Sequence, residues 1–379
     1  MTNAPPRPVS AVALLADIPS TGLLGGTTAQ RFTLTGDDLA TQSEGFLDFA
    51  RHHIEQGRRV VALYPKWHAQ RPQRAIAFAR GALQTDRIGQ VALDISPLAL
   101  SLLADQLAYL APYVPAGVTA SLADELPQHF LAGAWMKSVR GLSTVPITFK
   151  QHLGSYVPRA TFLAFCAPVK RVGLVRRSDP APNIPGRPME PIQILVARPN
   201  DQSIDEFNEQ FTPALRPVSL NALPEQPLGA TYWGSRKYVE FVAFSAHPQA
   251  LGNTVRTVRP TACSWCRELV SGLHCPFCGA LNQPPVGRPP TRRADVPPPP
   301  ARTTGEHIRP AWVSGSGADP RRPPAGRPAP AAAPPPSAPS HQPPGRPGPG
   351  GGGAGPYGTG PRQPSHVSPQ PPPHGGSPG

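Results

Sequence analysis

The sequence contains few lysines and no long uninterrupted apolar segment. Only five of its 36 basic residues are Lys, in a chain that is also rich in Ala, Pro and Gly. This bias is typical of a GC-rich genome, which weakens any functional interpretation of the Arg content. No stretch reaches the roughly 18–20 consecutive apolar residues of a membrane-spanning helix. The most apolar region, 91–118, is broken by Asp94, Asp105 and three prolines, so we expect no transmembrane helix.

The signatures of common enzyme classes are also missing. The sequence has no serine nucleophile elbow between a strand and a helix, no His-Glu-x-x-His motif, and no kinase or deaminase pattern. Cys166 lies in an apolar segment and is interpreted as a small buried residue, not as a nucleophile. The sequence leaves enzymatic activity undecided and favours a protein that is not an enzyme.

Proline is concentrated at the C-terminal end. Of the 56 prolines, 30 follow Asn282, in the last 97 residues, and this part carries +7 of the net charge of +13. Such a composition cannot bury a core, which predicts a disordered Pro/Gly/Arg-rich tail over 283–379. For the remainder we predict a globular body over 1–250, with an internal boundary near 176–191, and a small metal-binding module over 255–282.

Strands and helices alternate through the first third of the chain. Apolar runs predict strands at 9–17, 59–64 and 90–95, and helical spacing predicts a helix after each of them. The two inner strands are short and continuously apolar, as buried parallel strands are. This alternation predicts an α/β or α+β fold, with a mixed sheet covered by helices.

The order of elements changes near residue 120. Residues 120–139 are predicted to be helical, with a break at Pro127. A second helix, 203–211, has its apolar side chains on one face. Strands are predicted around these helices, at 160–166, 171–175, 191–196 and 238–244.

Four cysteines form the most specific motif of the chain. Cys263-Ser-Trp-Cys266 and Cys275-Pro-Phe-Cys278 are two hooks separated by eight residues. Two such hooks can hold one zinc ion tetrahedrally through four thiolates, and a shell of four sulfurs makes the site structural. Disulfides and a redox or iron–sulfur role are the alternatives. We expect a cytoplasmic location because the signal-peptide pattern is weak, and a reducing cytoplasm favours zinc.

Residues 261–281 resemble the short zinc ribbons that occur as accessory modules in many bacterial and archaeal proteins. The second hook, followed by Gly279, matches the usual Cys-Pro-x-Cys-Gly pattern, whereas the first has Arg267 where Gly is common. The resemblance implies a binding role, toward proteins or sometimes nucleic acid. Trp265 and Phe277 are predicted either to contact a partner or to pack together over the site.

A glycine-rich turn follows the first strand, where an α/β fold would have a phosphate loop. Gly22, Gly25 and Gly26 lie in it, but the endings that mark nucleotide loops are absent. Its amides could still hold an anion, or the turn could simply end the strand. Asp94 lies at the end of a predicted strand, where open α/β sheets place functional carboxylates and where a helix cap is also expected. These four residues are the candidate ligand-binding residues.

The leading hypothesis is a non-catalytic scaffold protein that binds a protein partner through its ribbon and its flexible basic tail. Trp312, in an apolar island of the tail, is a candidate anchor for that partner. The first alternative is a nucleic-acid-binding protein that uses the same two segments. The second is an enzyme or ligand-binding α/β domain with a site near the glycine turn. The oligomeric state does not follow from the sequence.

Overall fold

The computed structural model describes residues 10–157, 160–175 and 182–282. All of them belong to one compact unit, Met1–Pro298. The predicted tail with Trp312, and part of the predicted internal boundary, lie outside the described residues. No helix in the described ranges is long and apolar enough to cross a membrane.

The first sheet has four parallel strands in the order β2-β1-β3-β4. Both of its faces are covered, so β1 and β3 are apolar runs without polar alternation. The strands are β1 (Ser10–Leu14), β2 (Gln30–Arg31), β3 (Arg59–Pro65) and β4 (Ile88–Leu93).

Two amphipathic helices, α1 (Leu39–Glu55) and α2 (Gln70–Ala82), cover the outer face of this sheet. Their buried residues form one cluster with alternate residues of β1 and β3. Asp38 caps α1, because its carboxylate accepts the Thr41 N–H at 2.9 Å.

Two further helices, α3 (Pro97–Leu110) and α4 (Ala116–Glu125), lie on the inner face. Twelve of the 14 residues of α3 are buried. A helix can be buried on nearly all sides only when it is enclosed by other elements. Its core cluster accordingly includes residues of the first sheet, such as Val61, and residues of the second, such as Val242.

The second sheet has six strands in the order β7-β6-β5-β10-β8-β9. Only β8 and β9 are parallel to each other, and the other neighbours are antiparallel. The strands are β5 (Leu131–Met136), β6 (Thr161–Ala167), β7 (Arg171–Val175), β8 (Ile192–Ala197), β9 (Ser219–Leu223) and β10 (Tyr238–Ser245). The short helices of this half are α5 (Phe149–Gly154), α6 (Asp205–Gln210), α7 (Thr212–Leu215), α8 (Gly229–Trp233) and α9 (Ala250–Thr257).

The outer face of the second sheet is covered by α6 and α7. Phe207, Phe211 and Leu215 of this segment are buried in one cluster with Phe241 of β10 and Trp135 of β5. The described residues therefore form five layers: helices, sheet, helices, sheet, helices.

The predicted α/β class, with mixed pairing and covering helices, is confirmed. The predicted helix over 120–139 is wrong in its second half: α4 ends at Glu125, a single 3₁₀ turn follows at Leu126–Gln128, and β5 begins at Leu131. All six residues of β5 are buried because helices cover both faces of the sheet at this position. Such a strand has no alternation, and its apolar run cannot be told from a buried helix by periodicity.

The cysteine-containing segment carries a third, two-stranded antiparallel sheet, β11 (Thr261–Ala262) and β12 (Leu269–Val270). It packs tightly on α4: the Gly117 N–H donates to Glu268 Oε1 at 2.8 Å. A Cβ atom at Gly117 would lie 2.2 Å from the Leu269 carbonyl oxygen. Whether 255–282 counts as a domain separate from 1–250 stays a prediction.

Replacing Gly117 with Ala tests this close contact. The new methyl group must push β12 away from α4, so we expect Gly117→Ala to lower the free energy of unfolding by about 1–3 kcal/mol. Gly81→Ala is the matched control, since Gly81 is also helical and a Cβ atom there meets nothing within 4 Å. The control should be neutral or stabilising by up to about 1 kcal/mol. Urea unfolding of both variants measures the difference, and equal stabilities would contradict the close packing.

Candidate ligand cleft, metal centre and buried carboxyl

The four cysteine sulfurs lie close enough to share one ion. All of them are within 4.8 Å of one another, with Cys263 Sγ 3.7 Å from Cys278 Sγ and Cys266 Sγ 3.5 Å from Cys275 Sγ. Four sulfurs bound tetrahedrally at about 2.3 Å from a metal ion lie about 3.8 Å apart. None of the four forms a disulfide. The geometry therefore fits a metal centre.

The two hooks have the same backbone conformation. The Arg267 N–H donates to the Cys263 carbonyl at 3.1 Å, and the Gly279 N–H donates to the Cys275 carbonyl at 2.9 Å. Both donor residues have left-handed backbone angles, with φ of 62° at Arg267 and 75° at Gly279. Arg267 thus adopts the conformation for which Gly is favoured, and the first hook keeps the geometry of the second.

The cysteine module covers the edge of the first sheet that β4 forms. At the β4 edge the Gln90 N–H donates to the Pro276 carbonyl at 3.0 Å, and Arg80 Nη2 donates to the same oxygen at 3.0 Å. Phe277 is 1 % exposed, and the Arg59 guanidinium lies 5.3 Å from its ring centroid. Glu268 is buried as well and pairs with Arg59 at 2.8 Å. The module is therefore anchored to the body through backbone, apolar and ionic contacts.

Trp265 and Phe277 do not pack together over the metal centre. Trp265 is 78 % exposed, whereas Phe277 is part of the core. Phe277 is consequently no contact for a partner, because its ring is buried between the module and the first sheet. Of the predicted partner-binding residues in the described ranges, only Trp265 lies at the surface.

Asp105 attaches the glycine turn to α3. Its buried carboxylate accepts hydrogen bonds from Ser20 Oγ at 2.9 Å and from Thr21 N and Oγ1 at 3.0 and 2.8 Å. Arg31 pairs with the other carboxylate oxygen at 2.7 Å. The next two amides donate to the hydroxyls of the same Ser and Thr. An acidic side chain of the protein itself thus binds these donors, and they are not free to hold a phosphate.

The predicted ligand-binding residues lie in two separate places. Gly22 and Gly25 have positive φ angles of 67° and 63°, and Gly26 follows them in the turn. Asp94 pairs with Lys170 at 2.7 Å, away from the cleft beside the turn. Binding by these four residues stays a prediction.

A cleft of about 640 Å³ opens beside the glycine turn. Its walls come from the turn, α3, the segment before β5, the end of β10 and α9. The turn contributes leucine side chains to it. The large apolar side chains of the lining are Leu23, Leu24, Tyr109, Leu126, Phe130, Met189, Phe244 and Leu251.

Polar side chains in the cleft wall can bind a ligand's polar end. Gln106 of α3 is buried, and its Oε1 atom has no hydrogen-bond partner among the described residues. His247 accepts the Gln249 N–H at Nδ1 (3.2 Å), so the neutral ring can donate from Nε2. Arg187 also lines the cleft, although Glu190 pairs with it at 2.8 Å. No Asp or Glu of the described residues lines the cleft.

Sequence reasoning missed Gln106 and His247. They are 141 positions apart, one on α3 and the other between β10 and α9, and neither belongs to a recognisable motif. Only the leucines next to Gly22 and Gly25 lie within the region that the sequence had indicated.

A buried carboxyl joins the two sheets at the start of α3. Glu240 in the middle of β10 is fully buried, and its Oε1 accepts the Leu98 N–H at 2.9 Å. Its Oε2 lies beside Ser96 and Trp233 without a well-formed hydrogen bond among the described residues. Burial raises the pKa of Glu240 to about 7, although the neighbouring donors at Ser96, Leu98 and Trp233 oppose the rise. No sequence pattern indicated this residue.

No family model matches the chain, and no curated protein matches it. Solved structures of similar fold include a DegV family protein of Corynebacterium glutamicum (13 % identity, 63 % of this chain and 97 % of that chain, TM-score 0.40). A stearic-acid-binding protein of Eubacterium ventriosum has 13 % identity over 62 % of this chain and 97 % of its own, with a TM-score of 0.43. A DegV family protein of Thermus thermophilus, described as fatty-acid-binding, has 11 % identity, coverages of 62 % and 99 %, and a TM-score of 0.42. The likeness is one of fold.

The prediction of a scaffold that binds a protein partner is wrong. Two of the three solved structures named above are described as fatty-acid-binding, and a fatty acid is a small molecule. The surface expected to receive a partner is also occupied, because Phe277 and Glu268 of the module bind the body. The nucleic-acid alternative fails with it. The second alternative, a ligand-binding α/β domain, agrees better with these findings.

The raised pKa of Glu240 makes stability depend on pH. The native state holds a proton on this carboxyl between its ordinary pKa of 4.5 and its native value of about 7. The resulting stabilisation is complete below the ordinary pKa and is lost as the pH rises through about 7. We expect the wild-type protein to lose about 2 kcal/mol more than Glu240→Gln between about pH 5 and about pH 8. Urea unfolding at each pH measures the free energy of unfolding. Glu55→Gln, which changes an exposed carboxyl, is the control. Parallel pH profiles of stability for wild type and Glu240→Gln would contradict the prediction.

Proposed function

We propose that the protein binds a small amphiphilic molecule in the cleft beside the glycine turn. The observation that carries this proposal is the lining of the cleft, in which leucine, phenylalanine and methionine side chains stand beside the polar groups of Gln106 and His247. Such a lining can bind the apolar part of a ligand by burial and its polar end by hydrogen bonds.

The size and lining of the cleft favour an apolar chain. Its volume of about 640 Å³ lies within the range of small-molecule sites, roughly 300–1,000 Å³. Each methylene group buried against the leucine and phenylalanine side chains contributes about 0.8 kcal/mol. A long alkyl chain would therefore bind by burial of apolar surface alone.

The polar groups favour an acidic head group. His247 can donate from Nε2, and the Gln106 amide group can donate from its own Nε2. Acidic side chains are absent from the lining within the described residues, so a carboxylate meets no repulsion there. A protonated carboxylic acid or a carboxylate suits these donors better than a cationic head group does.

A fatty acid meets this description. It is also the ligand named for solved structures of similar fold, but TM-scores near 0.4 allow that name to guide only the choice of the first probe. Stearic acid is therefore the probe that we would use.

Titration calorimetry with stearic acid tests the proposal. We expect saturable binding with one site per chain. Leu251→Glu places a negative charge in the apolar wall and should weaken binding at least about tenfold, since an unpaired buried charge is costly. Gln106→Leu should weaken the binding of stearic acid more than the binding of its methyl ester, because only the acid has both a hydrogen-bond donor and an acceptor.

Leu273→Glu is the charge-matched control. Leu273 is exposed and lies outside the cleft, so this variant should bind like wild type. Absence of binding, or equal weakening by Leu251→Glu and Leu273→Glu, would contradict the assignment of the cleft.

For the cysteine centre we propose one structural zinc ion. Cys263, Cys266, Cys275 and Cys278 provide a closed shell of soft thiolates, the donor set of structural zinc sites. Bound zinc would fix both hooks and thereby hold Pro276 and Phe277 against the first sheet. Because the module is anchored to the body, the ion should stabilise the body as well.

Metal analysis of the purified protein should find one zinc ion per chain. Cys275→Ser should lose the ion, whereas Cys166→Ala, which changes the only cysteine outside the cluster, should retain it. Chelation should lower the melting temperature of the whole described unit by several degrees, since about 1 kcal/mol shifts it by about 2–4 °C at this size. Iron with visible absorption, or full metal content in Cys275→Ser, would contradict zinc at this site.

A further inference from the structure

The short helix α5 carries apolar side chains that face solvent. Phe149 is 76 % exposed and Leu153 is 54 % exposed, and Tyr156 and Val157 directly after the helix are 63 % and 60 % exposed. Single exposed apolar residues are common, but four within nine residues form a contiguous surface.

The orientation of α5 explains this exposure. Gln151 faces the body, because its Nε2 atom donates to the Val172 carbonyl of the edge strand β7 at 2.6 Å. Thr148 and Gln151 also form a capping box that fixes the start of the helix. At about 100° per residue, Phe149 and Leu153 both point to the side opposite Gln151. They are therefore held away from the core by a defined local structure.

The segment of sequence that contains α5 is basic. Residues 126–178 contain no Asp or Glu but eight basic residues: Lys137, Arg140, Lys150, Arg159, Lys170, Arg171, Arg176 and Arg177. Lys137 and Lys170 pair with Glu206 and Asp94 from outside this segment. Arg140 and Lys150 are exposed and make no ion pair with any described residue. The Arg140 guanidinium lies 4.8 Å from the ring centroid of Tyr156, next to the apolar residues.

We propose that this surface, the α5 patch, docks the protein reversibly on an anionic lipid membrane. The patch consists of Phe149, Leu153, Tyr156 and Val157 together with Arg140 and Lys150. Apolar side chains of this kind bury in the boundary between head groups and acyl chains, and neighbouring cations bind anionic head groups. The combination provides the two signals that stable but reversible membrane binding requires.

Charge excludes two other occupants. A second copy of the chain would bring its own α5 patch, with Arg140 and Lys150, against the same cations. The segment 283–379 carries a net charge of +7 and would be repelled as well.

A nucleic acid would stack bases on the aromatic rings, but Leu153 and Val157 offer no such surface. An anionic lipid surface matches both the charge and the aliphatic side chains.

Sedimentation of the full-length protein with lipid vesicles tests the proposal. We expect binding to vesicles of phosphatidylcholine mixed with phosphatidylglycerol, weak binding to pure phosphatidylcholine, and a decrease with salt. The double variant F149S/L153S should reduce the partition coefficient at least about tenfold. Lys150→Glu should weaken binding to the anionic vesicles and leave binding to neutral vesicles unchanged.

The control is the double variant Y113S/L273S, which removes two equally exposed apolar residues outside the patch and should bind like wild type. Melting curves show whether each variant is folded. If F149S/L153S does not fold, Lys150→Glu still tests the proposal. Three outcomes would each overturn the proposal. These are failure of the protein to bind anionic vesicles, binding of both patch variants as strong as that of wild type, and binding of the protein to an oligonucleotide but not to vesicles. The cleft variants Leu251→Glu and Gln106→Leu should bind vesicles normally, so failure of either proposal is distinguishable from failure of the other.

Discussion

The enclosure of helix α3 between two sheets is the constraint on which the rest of the structure depends. Apolar residues cover nearly its whole circumference, so it must be surrounded, and its few polar groups must find partners inside the core. Its first free amide, on Leu98, is bound by Glu240 from the second sheet. Asp105 in its third turn binds the glycine turn and Arg31 of the first sheet. Gln106, the next residue, lines the cleft. One helix thus joins the sheets, shapes the turn and provides a polar group to the candidate site.

The cysteine module covers the β4 edge of the first sheet. An unpaired edge strand is open to pairing with other chains unless it is covered. Here the hook around Pro276 binds the Gln90 amide of β4, and Phe277 enters the core beside it. A metal ion that orders the hooks would therefore also protect the sheet. This arrangement explains why a module that resembles an accessory ribbon contributes to the core of the body instead of displaying a separate surface.

Prediction from sequence succeeded where the signal is local. The buried parallel strands and the cluster of four cysteines are recognisable from apolar runs and spacings a few positions apart. Prediction from sequence failed where the environment of a residue is formed by segments that are distant in sequence. The run 131–136 was predicted to be helical because a strand covered on both faces has no alternation. Phe277 was expected either to contact a partner or to pack with Trp265 over the metal site, but its burial depends on β4, almost 190 positions earlier. Gln106, His247 and Glu240 carry no motif and were not identified at all.

The sequence by itself predicted the α/β class and the cluster of four cysteines that could hold a metal ion, because periodicity and residue spacing are properties of short segments. Only the tertiary structure decided which surfaces are free and which groups share a cavity. Asp105, over 80 positions away, binds the Ser20 and Thr21 donors at the start of the glycine turn, and no local pattern indicated this contact. The cleft, the buried carboxyl and the exposed side of α5 likewise follow from how elements pack. Packing brings together side chains whose separation in sequence carries no information about their separation in space.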